Sequence, residues 1–426
     1  MGVYGYQRNI SPNIDELAKN GKVFKHAFAT GSSTPFSFTG MLSSTYPLDY
    51  SKIPSLKHPS RICISSILKE KGYLTAGFHS NAYLSSFYGY DRDFDVFVDL
   101  TKKKILSEQK ANPPSTLRKI VRSIPLVSTL ARKTYKKIFE RKELRARKLA
   151  YLRAKETTNK VVKWIDDLDD SKLVFLWVHY MDPHHPYLST EKFEEWSNTK
   201  VDFSQSLKLM KKCSDSPSKI SKKELQLLTD LYDGEIHHVD SQLNHLLNSW
   251  EKKFTDSTII LTADHGDEFR EHGEFSHKAR LYDELIHVPL IILDPKIKQG
   301  FNEDLVSLLD LPTTVLGLNG IKSPPKMKGK KIFSKEYSPR DYIISETLEK
   351  DNKVSMDGKG TQKVAIRTKR WKYIYDTDGN EELYELQNDP QEKLNISKDK
   401  EELVSELRLL AQLHLKQQRK SRIKIV

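Results

Sequence analysis

The chain has 426 residues, 70 Lys/Arg against 57 Asp/Glu, and a net charge of +13. That length suits one large α/β domain plus a smaller one. Two cysteines, Cys63 and Cys213, exclude a disulfide framework and a CxxC metal site, and no run approaches the ~18 apolar residues of a membrane span. The charge is local: residues 102–155 hold 18 Lys/Arg and 3 Glu, a net of +15, which leaves −2 for the remainder. No signal peptide is visible, so a cytoplasmic location is expected.

In chain order, Ser11-Pro12 opens a helix, with serine at the N-cap, proline at the first helical position and Asp15 and Glu16 in the first turn. Residues 23–29 read as a short strand. A Ser/Thr-rich loop, 31–35, leads into 36–42; 62–71 is a helix and 73–78 a strand. Segment 102–155 reads as basic helices broken at Pro113-Pro114 and Pro125. Solvated helices are the plain reading of that segment, and a peripheral membrane contact the sharper one. It lacks arginine-aromatic interleaving, so no nucleic-acid partner is expected. Residues 173–178, Leu-Val-Phe-Leu-Trp-Val, form a fully buried strand by pattern. A long helix spans 225–250 and another 305–316, followed by a Lys/Pro/Gly-rich linker (321–331). Strands at 342–345, 364–367 and 371–375 and a charged helix at 401–419 finish the chain. Buried strands alternating with helices predict a mostly parallel central sheet sandwiched by helices, with a small C-terminal α+β subdomain. The division is placed at 1–320 and 321–426.

The chemistry concentrates in 258–292. An apolar, β-branched run (Thr258, Ile259, Ile260, Leu261) delivers Asp264 and His265 to a strand's C-terminal end, the edge where open α/β sheets gather ligands. A carboxylate beside an imidazole is half of a divalent-cation site. Ten of the 14 histidines fall between Val178 and Val288, and neutral imidazole is both a common metal ligand and a general acid/base.

Several segments, in order, resemble the sulfatase family of the alkaline phosphatase superfamily. They include Tyr4-Gly5-Tyr6 with the helix after it, the loop 34–47, Gly72–Phe78, Met181–Tyr187, Tyr232–Ile236 with Val239-Asp240, 262–293, 364–375, and Glu382–Pro390 with Glu392 and Asn395. The resemblance implies an alkaline-phosphatase-like α/β fold and hydrolysis of sulfuric esters. The implied chemistry is attack by a metal-activated hydroxyl with a divalent cation (Ca, Mg, Mn or Zn) as cofactor. Phosphodiesterase or phospho-head-group transfer is the alternative, so the expected partner is a sulfate- or phosphate-ester substrate.

The family's usual Cys-x-Pro-x-Arg signature is altered here. Counting back from Tyr46-Pro47 places Thr34 in the nucleophile position, with Phe38 where arginine is usual. A shifted register puts Ser33 there. The loop has no cysteine, which excludes a cysteine-derived formylglycine. The resemblance also implies Asp264 and His265 as metal ligands together with Thr34, and His184 as the substrate-side histidine, with His185 beside it. Lys278 matches a sulfate-binding lysine and His277 a histidine of other branches. The Lys-x-His after the Gly72–Phe78 strand is replaced by His79-Ser80-Asn81, and Asn81 is the candidate to stand in for part of it. Family members carry a first strand with metal-binding aspartates ahead of the Tyr-Gly-Tyr segment, and Met1 falls after it; a start upstream of Met1 is the expectation. Without that strand, a non-catalytic scaffold of the same fold is the rival reading.

Overall fold

Strand β1 (Lys22–Phe28) buries Val23 and Phe24, then Ala27 and Phe28, and is the center of a four-stranded sheet. It pairs in parallel with β9 (Gly300–Ser307) and antiparallel with β8 (Leu290–Leu293), which pairs antiparallel with β5 (Ile259–Thr262). A second, all-parallel sheet has the order β3 (Val96–Asp99), β2 (Leu74–His79), β4 (Val174–Val178). The computed structural model describes residues 1–101, 151–197 and 199–423. Of the basic segment 102–155, only 151–155 belong to these, so the membrane-contact reading lies outside the described residues.

Helices cover both faces of the sheets. On β4, Phe175 and Trp177 pack with Phe38 and Leu42 of α2 (Thr34–Ser43), Ile64 and Leu68 of α3 (Ile64–Glu70) and Leu316. Leu176 and Val178 pack on the opposite side with Val161 and Ile165 of α4 (Ala154–Asp166) and Leu246 of α5 (Lys222–Glu251). This alternation is the two-residue period of a strand buried on both faces. The α/β sandwich expected from the sequence is therefore present.

Two expectations need correction. Residues 305–316 are not one helix: Leu305–Ser307 end β9, and the helix proper is Leu311–Leu318. Leu305 and Val306 are fully buried beside β1, and sheet pairing overrides their helical propensity. Nor is β4 fully buried. All of its residues are half-buried, like those of β5, and Leu173 is 57% exposed. Both strands lie at sheet edges and line one cavity of about 1010 Å³. Among the described residues, each apolar run therefore lacks a strand partner on one side.

The C-terminal sheet is antiparallel throughout, in the order β11 (Lys353–Val354), β10 (Ile343–Lys350), β12 (Thr361–Arg367), β13 (Trp371–Asp376), β14 (Glu381–Glu385). The last helix (Glu401–Ile423) lays Val404, Leu407 and Ala411 on Val364, Ile366 and Tyr373. This sheet clasps the loop before α2. Ser345 Oγ donates to the Ala29 carbonyl at 2.6 Å and Glu346 N–H to the Thr30 carbonyl at 2.9 Å. The fully buried Glu346 carboxylate accepts from Leu48 N–H (2.8 Å), Gln418 (2.7 Å) and His414 (3.0 Å). Burial pushes this carboxyl up, but those donors outweigh it and hold it below its ordinary value. Removing a buried, fully engaged carboxylate strands its donors, so Glu346→Ala should lower unfolding stability by about 3–5 kcal/mol. Urea denaturation checks this, and a loss below about 1 kcal/mol would show that the clasp is not needed.

Candidate active site

Thr34 is the first residue of α2, with Ser33 in extended geometry at the N-cap and Pro35 just inside the helix. Every residue of α2 except Met41 is buried, so its first turn is fixed in the core rather than on a surface loop. The helix N-terminus favors negative charge at this hydroxyl. Gly31 permits the approach, since a Cβ there would lie 2.5 Å from the Glu346 carbonyl oxygen.

The end of β5 brings in the partners. Gly266 N–H donates to the Leu285 carbonyl at 2.9 Å, and a Cβ on Gly266 would sit 2.1 Å from the Glu284 carbonyl oxygen, so only glycine lets the chain turn here. The His265 Nδ1–H donates to the Gly266 carbonyl (2.9 Å), which directs the Nε2 lone pair inward. That Nε2 lies 3.5 Å from Thr34 Oγ1 and 3.6 Å from Asp264 Oδ2. Asp264 Oδ2 is buried with no hydrogen-bond partner among the described residues. Asn81 accepts from Tyr83 N–H (2.9 Å), which turns its Nδ2 toward Thr34 Oγ1 at 3.3 Å. A carboxylate oxygen, an imidazole lone pair and a hydroxyl oxygen thus face one point without a donor to satisfy the carboxylate. This donor set fits a divalent cation.

A second group stands on the hairpin of β6 (Glu268–Phe269) and β7 (Phe275–Ser276). Pairing of Glu268 with Ser276 sets Asp267 beside His277, and the buried Glu268 carboxylate closes the turn by accepting from the N–H groups of His272 (2.9 Å) and Glu274 (2.7 Å). His277 Nδ1 bonds Asp267 Oδ1 at 2.7 Å, and Tyr187 donates to Asp267 Oδ2 at 2.7 Å. Burial would raise the Asp267 pKa, but the His277 hydrogen bond and the neighboring imidazoles hold it well below the carboxylate range. His184 meets His277 edge-on and His185 lies tilted against it, with ring centroids 4.9 and 5.2 Å from His277, and the His277 ring is 4.4 Å from that of His265. Burial, reinforced by His185 and His277, keeps His184 well below the ordinary histidine value.

The structure therefore joins Thr34, Asn81, Asp264 and His265 in one cluster and His184, His185 and His277 in an adjoining one. Ser33 lies one residue before Thr34, its buried hydroxyl without a partner among the described residues. Lys278 is not brought to either cluster. Its carbonyl accepts from Ser32 Oγ at 3.3 Å, it does not line the cavity, and its charge acts on exposed Asp215. Sequence reasoning assigned no role to Asp267 or to His179 at the end of β4. Asp267 looked like one more polar turn residue, and only the hairpin pairing reveals its partner.

His179 is half-buried with its Nδ1 enclosed, and burial, against a smaller pull from Asp264, brings its pKa down to about 4. A histidine held neutral in the fold binds fewer protons than its unfolded counterpart below pH ~6.5. Its contribution is intact above that pH and is lost as pH falls from ~6.5 to ~4, to a total of about 3 kcal/mol. Stability measured against pH should show this decline, and His179→Phe should flatten it; an unchanged slope would contradict the assignment.

A hydroxyl at a buried helix start, facing a carboxylate–imidazole pair at the ends of an α/β sheet, defines a metal-dependent ester hydrolase of the alkaline-phosphatase-like class. The sulfatase family model matches residues 1–321, and one described as N-sulphoglucosamine sulphohydrolase, C-terminal, matches 270–420. Mouse (Mus musculus) arylsulfatase K is 24% identical over 94% of this chain and 79% of its own length. The human and rat counterparts match over only 35% and 50% of theirs. A delta 4,5-hexuronate-2-O-sulfatase of Bacteroides thetaiotaomicron is 32% identical over 38% of this chain and 34% of its own. Among solved structures, BT4656 in complex with its substrate D-glucosamine-2-N,6-O-disulfate superposes with a TM-score of 0.73 at 19% identity, covering 100% of this chain and 96% of that one. The phosphonate monoester hydrolase of Agrobacterium radiobacter gives 0.69 at 19% identity over 99% and 93%. The chain belongs to the sulfatase family, the sulfuric ester hydrolases of this fold.

Proposed function

We propose that the chain hydrolyzes the sulfate ester of a sulfated sugar, with Thr34 Oγ1 as the nucleophile. The observation that carries this reading is the convergence of Thr34 Oγ1, His265 Nε2 and the unpartnered Asp264 Oδ2 within 3.5 and 3.6 Å steps. A divalent cation held by Asp264, His265 and Thr34 would lower the hydroxyl's pKa and offset charge on the sulfate. The chain's own groups do the rest. The N-terminus of α2 favors the alkoxide, and Asn81 Nδ2 donates to the nucleophilic oxygen and holds its direction. As the Thr34 O–S bond forms, the sugar O–S bond breaks, and water then cleaves the Thr34 sulfate ester. His184, His185 and His277 serve the side where the leaving oxygen gathers charge. The sugar is supported by the sulfated carbohydrates named for two of the relatives above. Residues 1–320 would supply the chemistry and 321–426 the clasp on the Thr34 loop.

Thr34→Ala should lower kcat/KM toward an aryl sulfate by roughly 10³-fold or more, whereas Ser33→Ala should change it only a few-fold. Stripping divalent cations should abolish turnover, and adding them back should restore it. The same assays on a bis-aryl phosphate decide the competing ester: higher kcat/KM there would overturn the sulfate reading while leaving Thr34 in place.

A further inference from the structure

We infer that His184, His185 and His277 form a second cation site, for a transition-metal dication of the zinc class, beside the Asp264–His265 pair. One ring nitrogen from each of the three lies within 4.8 Å of the others. The Nδ1 atom of each ring already has a partner. His184 Nδ1 donates to the His185 carbonyl at 2.6 Å, His277 Nδ1 bonds Asp267 Oδ1 at 2.7 Å, and His185 Nδ1 lies 3.0 Å from Ser276 Oγ. A carbonyl, a carboxylate and a hydroxyl are the outer partners that metal-bound imidazoles take, since they fix the tautomer and aim Nε2. Asp267 is itself held by Tyr187, and Ser276 adopts a left-handed φ of 66°, an uncommon conformation for a residue other than glycine.

The alternative use of three clustered imidazoles is direct binding of an anion as imidazolium ions. Three like charges with ring centroids 4.2 to 5.2 Å apart would repel one another. Neutral nitrogen donors select Zn, Co, Ni or Cu over Mg or Ca, and three ligands leave a fourth position open for water or an ester oxygen. The inference rests on the hydrolase reading for its catalytic meaning only. There, a cation on these rings would meet the leaving oxygen while the Asp264 pair serves the attacking one, as in two-metal hydrolysis. Its existence is tested by binding.

The chelator-stripped full chain is titrated with zinc by equilibrium dialysis and with cobalt(II) by visible absorption. The expected result is a high-affinity zinc site and an intense d–d spectrum of low-coordinate cobalt. His185→Ala and His277→Gln should each weaken it at least ~10-fold, and Asp267→Asn, which acts through His277 and Ser276, ~10–100-fold. Asp264→Asn should keep these intense low-coordinate bands while lowering the total cobalt bound. Circular dichroism melts separate ligand loss from unfolding, and His277→Gln is the milder variant if His185→Ala fails to fold. Zinc affinity unchanged by both histidine variants, or a cobalt spectrum lost with Asp264→Asn alone, would overturn the proposal. Neither outcome bears on Thr34 as nucleophile.

Discussion

The site is organized by an electrostatic deficit. Asp264 Oδ2, His265 Nε2 and Thr34 Oγ1 turn their electron pairs on a common point, and the carboxylate oxygen has no donor among the described residues. A buried, unpaired carboxylate oxygen costs several kcal/mol unless positive charge meets it. The surrounding structure enforces this rather than relieving it. The carbonyl of Gly266 takes the imidazole's only proton, and the Glu284 and Leu285 carbonyls hold that glycine in place. Asn81 directs its amide to the threonine rather than to the aspartate. The arrangement makes physical sense as a cradle for a divalent ion, with the hydroxyl as one of its ligands.

Distant parts of the chain converge on that cradle. The antiparallel C-terminal sheet hydrogen-bonds to Ala29 and Thr30, just ahead of Thr34, and Glu346 ties that sheet to both Leu48 and the last helix. On the other side, the β6–β7 hairpin fixes Asp267 against His277 and so sets the histidine cluster next to His265. The two clusters differ in chemistry: one offers two oxygens and one nitrogen, the other three imidazoles. Sulfatase-fold geometry positions both at the same strand ends.

Much of this was legible in the sequence. The β-branched run before Asp264-His265 marks a strand edge on its own, and the count from Tyr46-Pro47 reaches Thr34 despite the altered signature. What remained hidden depends on pairing between distant segments. Leu305 and Val306 have helix-compatible side chains but belong to β9, because β1 offers them a parallel partner. The run in β4 read as fully buried, yet β4 and β5 each have an edge on the same cavity that is unpaired among the described residues, and no local pattern encodes such an edge. Asp267 differs from other turn carboxylates only through its contacts with His277 and Tyr187. Lys278 matched a motif position, but the backbone after β7 leaves it at the rim.

The central claim is that a cation sits between the carboxylate–imidazole pair and the helix-start hydroxyl. Crystals of the full chain soaked in manganese and measured at the metal's absorption edge locate such an ion by anomalous scattering. The account predicts a peak in coordination contact, roughly 2.0–2.3 Å, with Asp264 Oδ2, His265 Nε2 and Thr34 Oγ1. A well-occupied manganese peak elsewhere, with Thr34 Oγ1 turned away from the pair, would contradict it.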